Sequence, residues 1–286
     1  MEHFPVLKEK VVEFLNLKEN GVYVDGTCGF GGHSKYILET KKNFFLIGID
    51  KDEEAISTIS ERLKEYKNFR PIKGGFENIK EILESIEIKK VDGVLLDLGF
   101  SINQVKNKIR GFSLYLEGPL DMRYDRSQNL TADEILNKWS MEDLKFVFEN
   151  YGDIKNPEKI VKKIIERRKE KPFQTTIDFA NFISKYYPRK KKIHPATLFF
   201  QALRIAVNNE ICSLKKGLTQ IEEILNKKGR LVVISFHSIE DRIVKNFIKK
   251  SEKLKVLTKK PVSPDRNEVI LNPESRSAKL RAAEKL

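Results

Sequence analysis

The stretch Gly21-Val-Tyr-Val-Asp25, continued by Gly26-Thr-Cys-Gly-Phe-Gly-Gly-His33, decides the fold that this sequence predicts. Its first part is a short apolar run that ends in an aspartate, which is typical of a buried strand. The second part is rich in glycine, and glycine lets a backbone approach a ligand closely. A helix is predicted to follow over 32–40. The stretch therefore predicts a strand, a ligand-binding loop and a helix, which together form the first unit of an α/β sheet.

The same alternation continues along the chain and predicts a doubly wound α/β sheet. The segment 91–97 has apolar residues on both of its faces, as expected of a parallel strand covered on both sides. Two weaker extended segments, 254–258 and 268–271, predict an antiparallel hairpin at the sheet edge, and 272–281 is interpreted as a basic tail that becomes ordered on binding. The other predicted strands are 44–50, 69–73 and 231–235, and the predicted helices are 52–66, 78–86, 239–250 and a long helix over 195–226, closed by Gly229.

The alternation breaks after the fourth strand. From 105 to 193 no strong strand pattern occurs, and amphipathic helices are predicted instead at 131–138, 140–150, 157–168 and 176–186. The first of these helices begins with a capping box, Thr131-Ala-Asp-Glu134. This stretch also carries the basic runs Lys162-Lys163, Arg167-Arg168-Lys169 and Arg189-Lys-Lys-Lys192. We therefore expect an α/β core domain at 1–104 and 194–286, with a basic, all-helical domain for substrate recognition inserted at 105–193.

Composition indicates a globular protein with an anionic partner. The 286 residues are 40% hydrophobic and 33% charged, and 54 Lys and Arg against 41 Asp and Glu give a net charge of +13. Such an excess attracts polyanions, of which RNA or DNA is the obvious candidate. A charge-rich thermophilic surface is the alternative, although it would not explain the imbalance. With no signal peptide at Met1, no apolar run long enough to span a bilayer and two distant cysteines, we expect a cytoplasmic protein without a membrane partner.

Three aspartates end predicted strands and outline a pocket. Asp50 closes the second strand, where a carboxylate can accept hydrogen bonds from two ribose hydroxyls. Asp97 closes the fourth strand, next to the point of the sheet where ligands bind. Asp25 precedes the glycine loop, where a carboxylate suits a cationic ligand better than a pyrophosphate, and Ser34 occupies the third glycine position of the nicotinamide fingerprint. Each of the three could instead cap a turn.

Histidine and phenylalanine supply the remaining candidates. His33, His194 and His237 have no metal-ligand spacing and no cysteine cluster beside them, so no metal is expected. His33 is expected to orient the cofactor loop, and His237 is expected at the same sheet edge as Asp97. A purely structural histidine is the alternative at both positions. Phe76 follows the third strand, where it could stack on an adenine or simply belong to the core.

Several longer strings occur in an order that resembles one known family, the MraW-like methyltransferases, which modify the N4 atom of cytosine in bacterial small-subunit ribosomal RNA. The resemblance runs essentially from end to end. Its strings are His3-Phe-Pro-Val-Leu7, the loop Asp25 to Ser34, Val91 to Gly99, Arg110-Gly-Phe-Ser113, Gly118-Pro-Leu-Asp-Met-Arg123, His194-Pro-Ala-Thr197, Phe200 to Ile205, Val233 to Arg242 and Ser277-Ala-Lys-Leu-Arg281.

The resemblance implies a Rossmann-like class I methyltransferase core, with S-adenosyl-L-methionine as cofactor and cytidine 1402 of 16S ribosomal RNA as substrate. It also implies RNA binding within the small ribosomal subunit, and a homodimer is one arrangement that we consider. The cofactor contacts that it implies are Gly31, Gly32, His33, Asp50, Phe76, Asp97 and Gln104. The sequence departs from the family pattern at Ile102 and Asn103, where serine and proline are usual, and at Leu198, where arginine is common. These departures concern RNA contacts more than the cofactor acids.

Methyl transfer to cytosine N4 needs alignment and a hydrogen-bond acceptor near the amine, because the lone pair of that nitrogen is delocalised into the ring. Asp97 is the first candidate, with Ser101, Ser235 and His237 as supporting catalytic groups. Phe100 or Phe236 could stack on a base turned out of its helix. Three alternatives share parts of the pattern: a nicotinamide-dependent oxidoreductase, a non-catalytic RNA-binding assembly factor, and a DNA amino-methyltransferase. The last usually carries Asn/Asp-Pro-Pro-Tyr/Phe where this chain has Asp97-Leu-Gly-Phe100.

Overall fold

The chain forms two compact units in the computed structural model, which describes residues 5–40, 43–187 and 194–286. The first unit comprises Met1–Gly99 and Ile211–Leu286, and the second comprises Phe100–Glu210. The second unit is therefore an insertion in sequence, as expected, but both of its ends lie outside the predicted range of 105–193. Within the described residues, no helix is long and apolar enough to cross a membrane.

The first unit contains all seven strands. They are β1 (Val22–Asp25), β2 (Phe45–Asp50), β3 (Phe69–Lys73), β4 (Val91–Asp97), β5 (Leu225–Ser235), β6 (Leu254–Val256) and β7 (Lys279–Lys285). In chain order this unit begins with helices α1 (Lys8–Leu15), α2 (Gly32–Leu38), α3 (Glu53–Arg62) and α4 (Ile79–Glu84). The second unit holds α5 (Ile102–Lys106), α6 (Ala132–Lys138), α7 (Met141–Gly152), α8 (Glu158–Glu170), α9 (Thr176–Tyr186) and α10 (Thr197–Val207). The chain continues with α11 (Glu210–Ile224), α12 (Ser238–Lys250) and α13 (Arg266–Leu271).

The strands form one sheet in the order β3-β2-β1-β4-β5-β7-β6. The first five pair in parallel, and β7 runs antiparallel between β5 and β6. Successive residues along the strands alternate between two cores: Tyr23 and Leu95 face α1 to α3, whereas Val24 and Val94 face α4, α11 and α12. Helices therefore cover both faces, and the doubly wound sheet is confirmed. The strand order reverses between β1 and β4, which is where such sheets bind ligands.

The long helix predicted over 195–226 is wrong, because it is two helices. α10 ends at Val207 and α11 begins at Glu210, with Asn209 in the left-handed region at φ 50°. The Asn208 side chain donates to the carbonyl oxygens of Met122 and Arg204, at 2.7 and 2.9 Å. These bonds stabilise the turn between the two helices. α10 packs in the core of the second, helical unit, not against the sheet of the first. Gly229 lies within β5 and does not close a helix.

Of the C-terminal predictions, the extended segment at 254–258 is confirmed in part, because it contains the edge strand β6, which pairs antiparallel with β7. The hairpin partner and the tail are wrong: segment 268–271 belongs to the helix α13, and the supposed tail 272–281 forms a 3-10 helix at Pro273–Ser277 and the start of β7. Leu280, Ala282 and Ala283 in that strand are completely buried. The segment looks polar because its apolar side chains alternate with charged ones, and small alanines give little apolar signal. Its order comes from pairing with β5 and β6 and does not require a ligand.

The second unit is all-helical, as predicted, around a core of its own. Phe148, Phe173, Phe179 and Phe199 are buried there and meet edge to face, with ring centroids 5.0 to 6.5 Å apart. The predicted N-terminal cap of α6 is confirmed, since the Thr131 hydroxyl accepts from the amide of Glu134 at 3.2 Å. The basic run Arg189–Lys192 lies outside the described residues.

Candidate cofactor site

The glycine loop lies where three adjacent parallel strands end. Asp25, Asp50 and Asp97 are the last residues of β1, β2 and β4, which are neighbours in the sheet. Backbone hydrogen bonds anchor the loop on both sides: Gly26 donates to the carbonyl of Leu95 at 2.8 Å, and Cys28 donates to that of Ile49 at 3.0 Å. The sequence-predicted acids are thus brought to one edge of the sheet.

Gly31 is required by its backbone and by its surroundings. Its φ of 86° is left-handed, and it is the residue from which α2 starts. A Cβ at this position would lie 2.8 Å from the Cγ1 atom of Ile59 on α3. The adjacent Gly32 begins α2 in helical conformation, so its backbone amide is among those that a helix start leaves without a helical partner. Both glycines remain predicted cofactor contacts.

Asp50 organises the loop and keeps capacity for a ligand. Its Oδ2 accepts from the amide of Gly29 at 2.8 Å, and its Oδ1 accepts from the amide of Asp52 at 2.9 Å. A carboxylate offers about four lone-pair positions, so roughly two remain for other donors. Burial raises the pKa of Asp50 to about 6, against the lowering effect of the two amides. The geometry suits a pair of ribose hydroxyls, the role predicted from the sequence.

Asp25 is placed differently from the interpretation that it faces a cationic ligand. It is 1% exposed, and its Oδ2 accepts from the Ser34 hydroxyl at 2.7 Å. Its other oxygen lies 3.4 Å from the amide of Thr27. Burial raises the pKa of Asp25, despite the opposing effects of His33 and Ser34. The carboxylate therefore fixes the loop to α2, and Ser34, which breaks the nicotinamide fingerprint, is its partner.

His33 and Asp97 form the polar centre of the site. His33 Nε2 lies 3.5 Å from Asp97 Oδ2, and the Asp97 amide donates to the Thr27 hydroxyl at 2.6 Å. Burial alone would lower the pKa of His33, but the carboxylates of Asp97, Asp25 and Glu268 outweigh it and raise the pKa. Among the described residues, Asp97 Oδ1 and both ring nitrogens of His33 are buried without a hydrogen-bond partner. Buried polar atoms in this state are available to bond a ligand or an ordered water molecule.

Phe76 is half-buried and packs against the core on the α4 and α11 face of the sheet. It opens a short 3-10 helix after β3, and a Cβ on Gly217 of α11 would lie 2.5 Å from its ring. A Cβ on Gly26 of the loop would lie 3.2 Å from the Cβ atom of Phe76. Gly217 thus allows the ring to approach α11 closely, while the Cβ atom of Phe76 lies near the start of the loop. The stacking of adenine on this ring stays a prediction.

Gln104 and Ser101, both in the helical unit, form a capping box at the start of α5. The Ser101 hydroxyl accepts from the Gln104 amide at 3.2 Å, and Gln104 Oε1 accepts from the Ser101 amide at 3.0 Å. The substituted residues Ile102 and Asn103 lie in the first turn of this helix. The cofactor role of Gln104 and the catalytic role of Ser101 stay predictions, but both side chains have a structural task.

Ser235 and His237 also have structural partners. Ser235 is 2% exposed at the end of β5, and its hydroxyl donates to the carbonyl of Lys279 on β7 at 3.4 Å. His237 is the N-cap of α12: Glu240 Oε2 accepts from the amides of Phe236 and His237, at 2.9 and 3.4 Å. His237 Nε2 lies 3.0 Å from Glu240 Oε1. The structural alternative for His237 therefore has direct support, and catalysis by either residue stays a prediction.

Sequence reasoning missed two residues that shape the site. The Thr27 hydroxyl accepts from the Asp97 amide and joins the loop to the end of β4. Glu268 of α13 accepts from the amide of Leu7 at 2.6 Å, and its charge contributes to the raised pKa of His33. Thr27 could have been suspected as the hydroxyl inside a glycine loop. Glu268 had no signal, because its segment was predicted to be a strand at the sheet edge.

The chain is similar to known proteins along its whole length. The sequence model of the MraW methylase family matches residues 1–286. Three relatives carry the name ribosomal RNA small subunit methyltransferase H. Those of Sulfurihydrogenibium sp. strain YO3AOP1 and Persephonella marina are each 45% identical over 293 residues, covering 100% of both chains. The relative of Halothermothrix orenii is 44% identical over 308 residues, covering 100% of this chain and 99% of that protein.

Proposed function

Because this chain belongs to the MraW methylase family, we propose that it methylates the exocyclic N4 of cytidine 1402 in 16S ribosomal RNA. Membership makes the chain a methyltransferase, and S-adenosyl-L-methionine is its cofactor. The observation that carries the proposal is the pair of buried His33 and half-buried Asp97 at the sheet edge, with Asp97 Oδ1 left for an external donor. The relatives' names, which specify small-subunit ribosomal RNA, support the substrate class.

The residues at the strand ends fit this cofactor. The two remaining lone-pair positions of Asp50 would accept the ribose hydroxyls, and the loop at Gly31 and Gly32 would contact the amino-acid part. Phe76 would pack beside the adenine, and Gln104 would supply a polar contact. His33 would hold Asp97 in position. Once bound, the cofactor supplies a sulfonium-bound methyl group that is transferred by in-line displacement.

The chain's own contribution is alignment and an acceptor for the amine. The N4 lone pair of cytosine is delocalised, and a carboxylate that accepts an N4 hydrogen bond localises it and can take the proton. Asp97 Oδ1 is buried and free of described protein donors, which suits this task. His33 Nε2, 3.5 Å from Asp97 Oδ2, would hold the carboxylate in position for this contact.

Phe100 is suited to hold the target base. It follows Asp97 by three residues, so the two Cα atoms are at most about 11 Å apart. Phe100 is 46% exposed, and within the helical unit its ring contacts Phe112 at 6.0 Å and the Arg204 guanidinium at 4.8 Å. Phe112 stacks in turn on Tyr124 at 5.5 Å. A base turned out of its helix commonly stacks on such an aromatic surface.

The helical unit supplies RNA backbone contacts in this proposal, but from fewer of the basic residues than the sequence indicates. Arg167 is occupied by both carboxylate oxygens of Asp178, each at 2.8 Å, and Arg168 donates to the carbonyls of Leu136 and Trp139. These two arginines stabilise the helical unit. The exposed Lys162 and Lys163 of α8 form ion pairs with glutamates of the same helix. Because such solvated pairs are weak, both lysines remain available to bind phosphate groups of the RNA.

The first test replaces Asp97 by Asn and by Ala. Asn retains the shape of the side chain but not its basicity, so we expect methyl transfer to fall by about 100-fold or more. Cofactor binding, measured separately by calorimetry, should change far less in Asp97→Asn than in Asp97→Ala. Undiminished transfer by both variants would rule out the role assigned to Asp97.

The second test identifies the substrate. Radiolabelled cofactor is offered to naked 16S ribosomal RNA, to small subunits lacking the modification, and to DNA, and the labelled nucleotide is mapped. We expect label on N4 of one cytidine in small subunits, consistent with action in the cytoplasm where subunits assemble. Label on another nucleotide or only on DNA would contradict the proposed substrate.

A further inference from the structure

One loop of the helical unit, residues 108–118, is fixed by close backbone contacts and hydrogen bonds, and we call it the tyrosine loop. Its two glycines allow backbone segments to touch. A Cβ on Gly118 would overlap the carbonyl oxygen of Lys108, and one on Gly111 would overlap that of Pro119. Gly111 also has a left-handed φ of 70°. Both glycines belong to sequence strings of the resemblance that the cofactor site does not use.

Side chains fix the tip of the tyrosine loop as well. The Ser113 hydroxyl oxygen accepts from the amides of Tyr115 and Leu116, at 3.1 and 3.2 Å. The Thr176 hydroxyl donates to the Leu116 carbonyl at 2.8 Å and accepts from the Gly118 amide at 3.1 Å. The backbone on both sides of Tyr115 is therefore held in one conformation.

This rigid frame presents apolar side chains to solvent. Tyr115 is 68% exposed, Ile109 is 49% exposed and Leu116 is 42% exposed. His194, at the start of the segment leading to α10, contacts the Tyr115 ring edge-on with centroids 5.7 Å apart. An aromatic side chain exposed at the tip of a fixed loop is available for contact with a partner.

We propose that Tyr115 stacks on an unpaired nucleobase of the substrate RNA, in addition to the base that is methylated. This inference rests on the proposed function, because it takes ribosomal RNA as the partner. Aromatic rings flanked by cations are the usual composition of a single-strand site. Lys106 just before the loop and Lys108 at its first position are exposed, and Glu117 is the single acid between 106 and 118. Three exposed side chains are too few for a stable protein interface of roughly 1,200–2,000 Å².

The test compares three substitutions of Tyr115 in the full chain, with small subunits lacking the modification as the probe. Tyr115→Phe retains the ring, Tyr115→Leu retains an apolar side chain without a ring, and Tyr115→Ala removes both. Stacking predicts near-normal affinity for Phe and a loss of about 5-fold to 150-fold for Leu and Ala alike. Equal affinity of wild type and Tyr115→Ala would overturn the proposal, as would full recovery by Leu.

Phe146→Ala is the matched control, since Phe146 is 54% exposed on α7 of the same unit but lies outside the tyrosine loop. We expect its affinity for small subunits to equal that of the wild type. A loss as large as that of Tyr115→Ala would mean that exposed aromatic area in general, and not this loop, determines binding. Thermal unfolding and cofactor affinity should be unchanged in all four variants, because each side chain is exposed.

The outcome also separates this inference from the proposed function. If the wild type methylates small subunits and Tyr115→Ala binds them equally well, only the tyrosine loop proposal fails. If the wild type shows neither binding nor methylation of small subunits, the proposed function itself fails. Light scattering supplies the remaining distinction: a change in oligomeric state of Tyr115→Ala with unchanged RNA affinity would assign the loop to contact between two copies of the chain and overturn the proposal.

Discussion

Asp50 combines two roles in one carboxylate. It accepts two backbone amides that shape the glycine loop, and burial raises its pKa to about 6. Burial makes the ionised form of Asp50 less stable, and the hydrogen bonds from the two amides offset only part of that effect. A residue with this pKa changes protonation between pH 5 and pH 7, and ligand binding to it should change in the same interval.

We therefore expect the affinity for S-adenosyl-L-methionine to fall as the pH drops through 6. The carboxylate is almost fully ionised at pH 7.5 and mostly protonated at pH 5, and only the ionised form accepts both ribose hydroxyls. For one proton and a pKa near 6, affinity should drop roughly tenfold between these pH values. Calorimetric titrations across this range would measure it.

The control for this pH dependence is Asp50→Asn, which cannot titrate. Its affinity should be low at both pH values, and the slope between them should largely disappear. His33 also has a raised pKa, so any slope that survives in Asp50→Asn reports on the His33–Asp97 pair instead. An unaltered slope would show that Asp50 does not contact the cofactor.

Gly31 gives a second prediction at this scale. Gly31→Ala places a Cβ in a left-handed conformation and 2.8 Å from Ile59, so we expect a loss of about 1–3 kcal/mol in the free energy of unfolding. Thermal or denaturant unfolding would measure the loss. Gly32→Ala is the matched control, because Gly32 has helical backbone and alanine favours helices. Unchanged stability of Gly31→Ala would contradict the packing argument.

At the scale of elements, β7 is the least obvious part of the sheet. It lies between β5 and β6 and pairs with both, and its Leu280, Ala282 and Ala283 side chains are completely buried. Arg281 adds an ion pair with Asp241 of α12, with Nε 2.6 Å from Oδ1. β7 thus connects the parallel strands to β6 at the edge of the sheet.

Removal of residues 279–286 should therefore abolish folding of the first unit. β5 and β6 would each lose a neighbour and expose unpaired backbone, which favours aggregation. We expect insoluble protein, or a loss of cooperative thermal unfolding and of cofactor binding. Removal of Leu286 alone, which is 59% exposed, should leave both intact. A soluble truncated protein that still binds cofactor would support the original interpretation of this segment as a tail.

The elements that were predicted correctly share one property, a strong periodic signal. β1, β2 and β4 are rich in apolar residues, and α7 to α9 have clear amphipathic patterns, so the doubly wound sheet and these helices could be anticipated. β7 has alternating small and charged residues, and the α10–α11 break depends on a distant contact of Asn208 with Met122. Neither is visible in a local window, because the deciding partners come from other parts of the chain.

The residues of the candidate site also divide into those with a local sequence signal and those whose role depends on distant contacts. Asp50, Asp97 and the glycines could be predicted because strand ends converge at one edge of a parallel sheet. Ser101 and His237 were also singled out, yet both cap helices, and the same polar residue types serve caps and catalysis. Only the partner atoms distinguish the two uses. Glu268 reaches Leu7 through tertiary structure, which no sequence spacing encodes.

At the scale of the whole molecule, the buried cores are separate. The two cores on the faces of the sheet consist of residues from the first unit, and the aromatic core consists of residues between Phe112 and Val207 of the second. The two ends of the second unit lie near each other, because Arg204 contacts the ring of Phe100 and pairs with both carboxylate oxygens of Glu210, at 2.8 and 2.9 Å. An inserted unit with adjacent ends and its own core can be removed without pulling apart its host.

We accordingly expect a chain in which residues 100–210 are replaced by a flexible linker of about six residues to fold and bind S-adenosyl-L-methionine. The first unit retains Asp50, His33 and Asp97, so affinity should fall only by the contribution of Gln104. RNA binding and methylation of small subunits should both be lost, since Phe100, Tyr115 and the lysines of α8 are absent. Calorimetry with the cofactor and filter binding with small subunits measure the two effects. A deletion variant that folds but binds no cofactor would show that the helical unit completes the cofactor site, which would make Gln104 a principal contact.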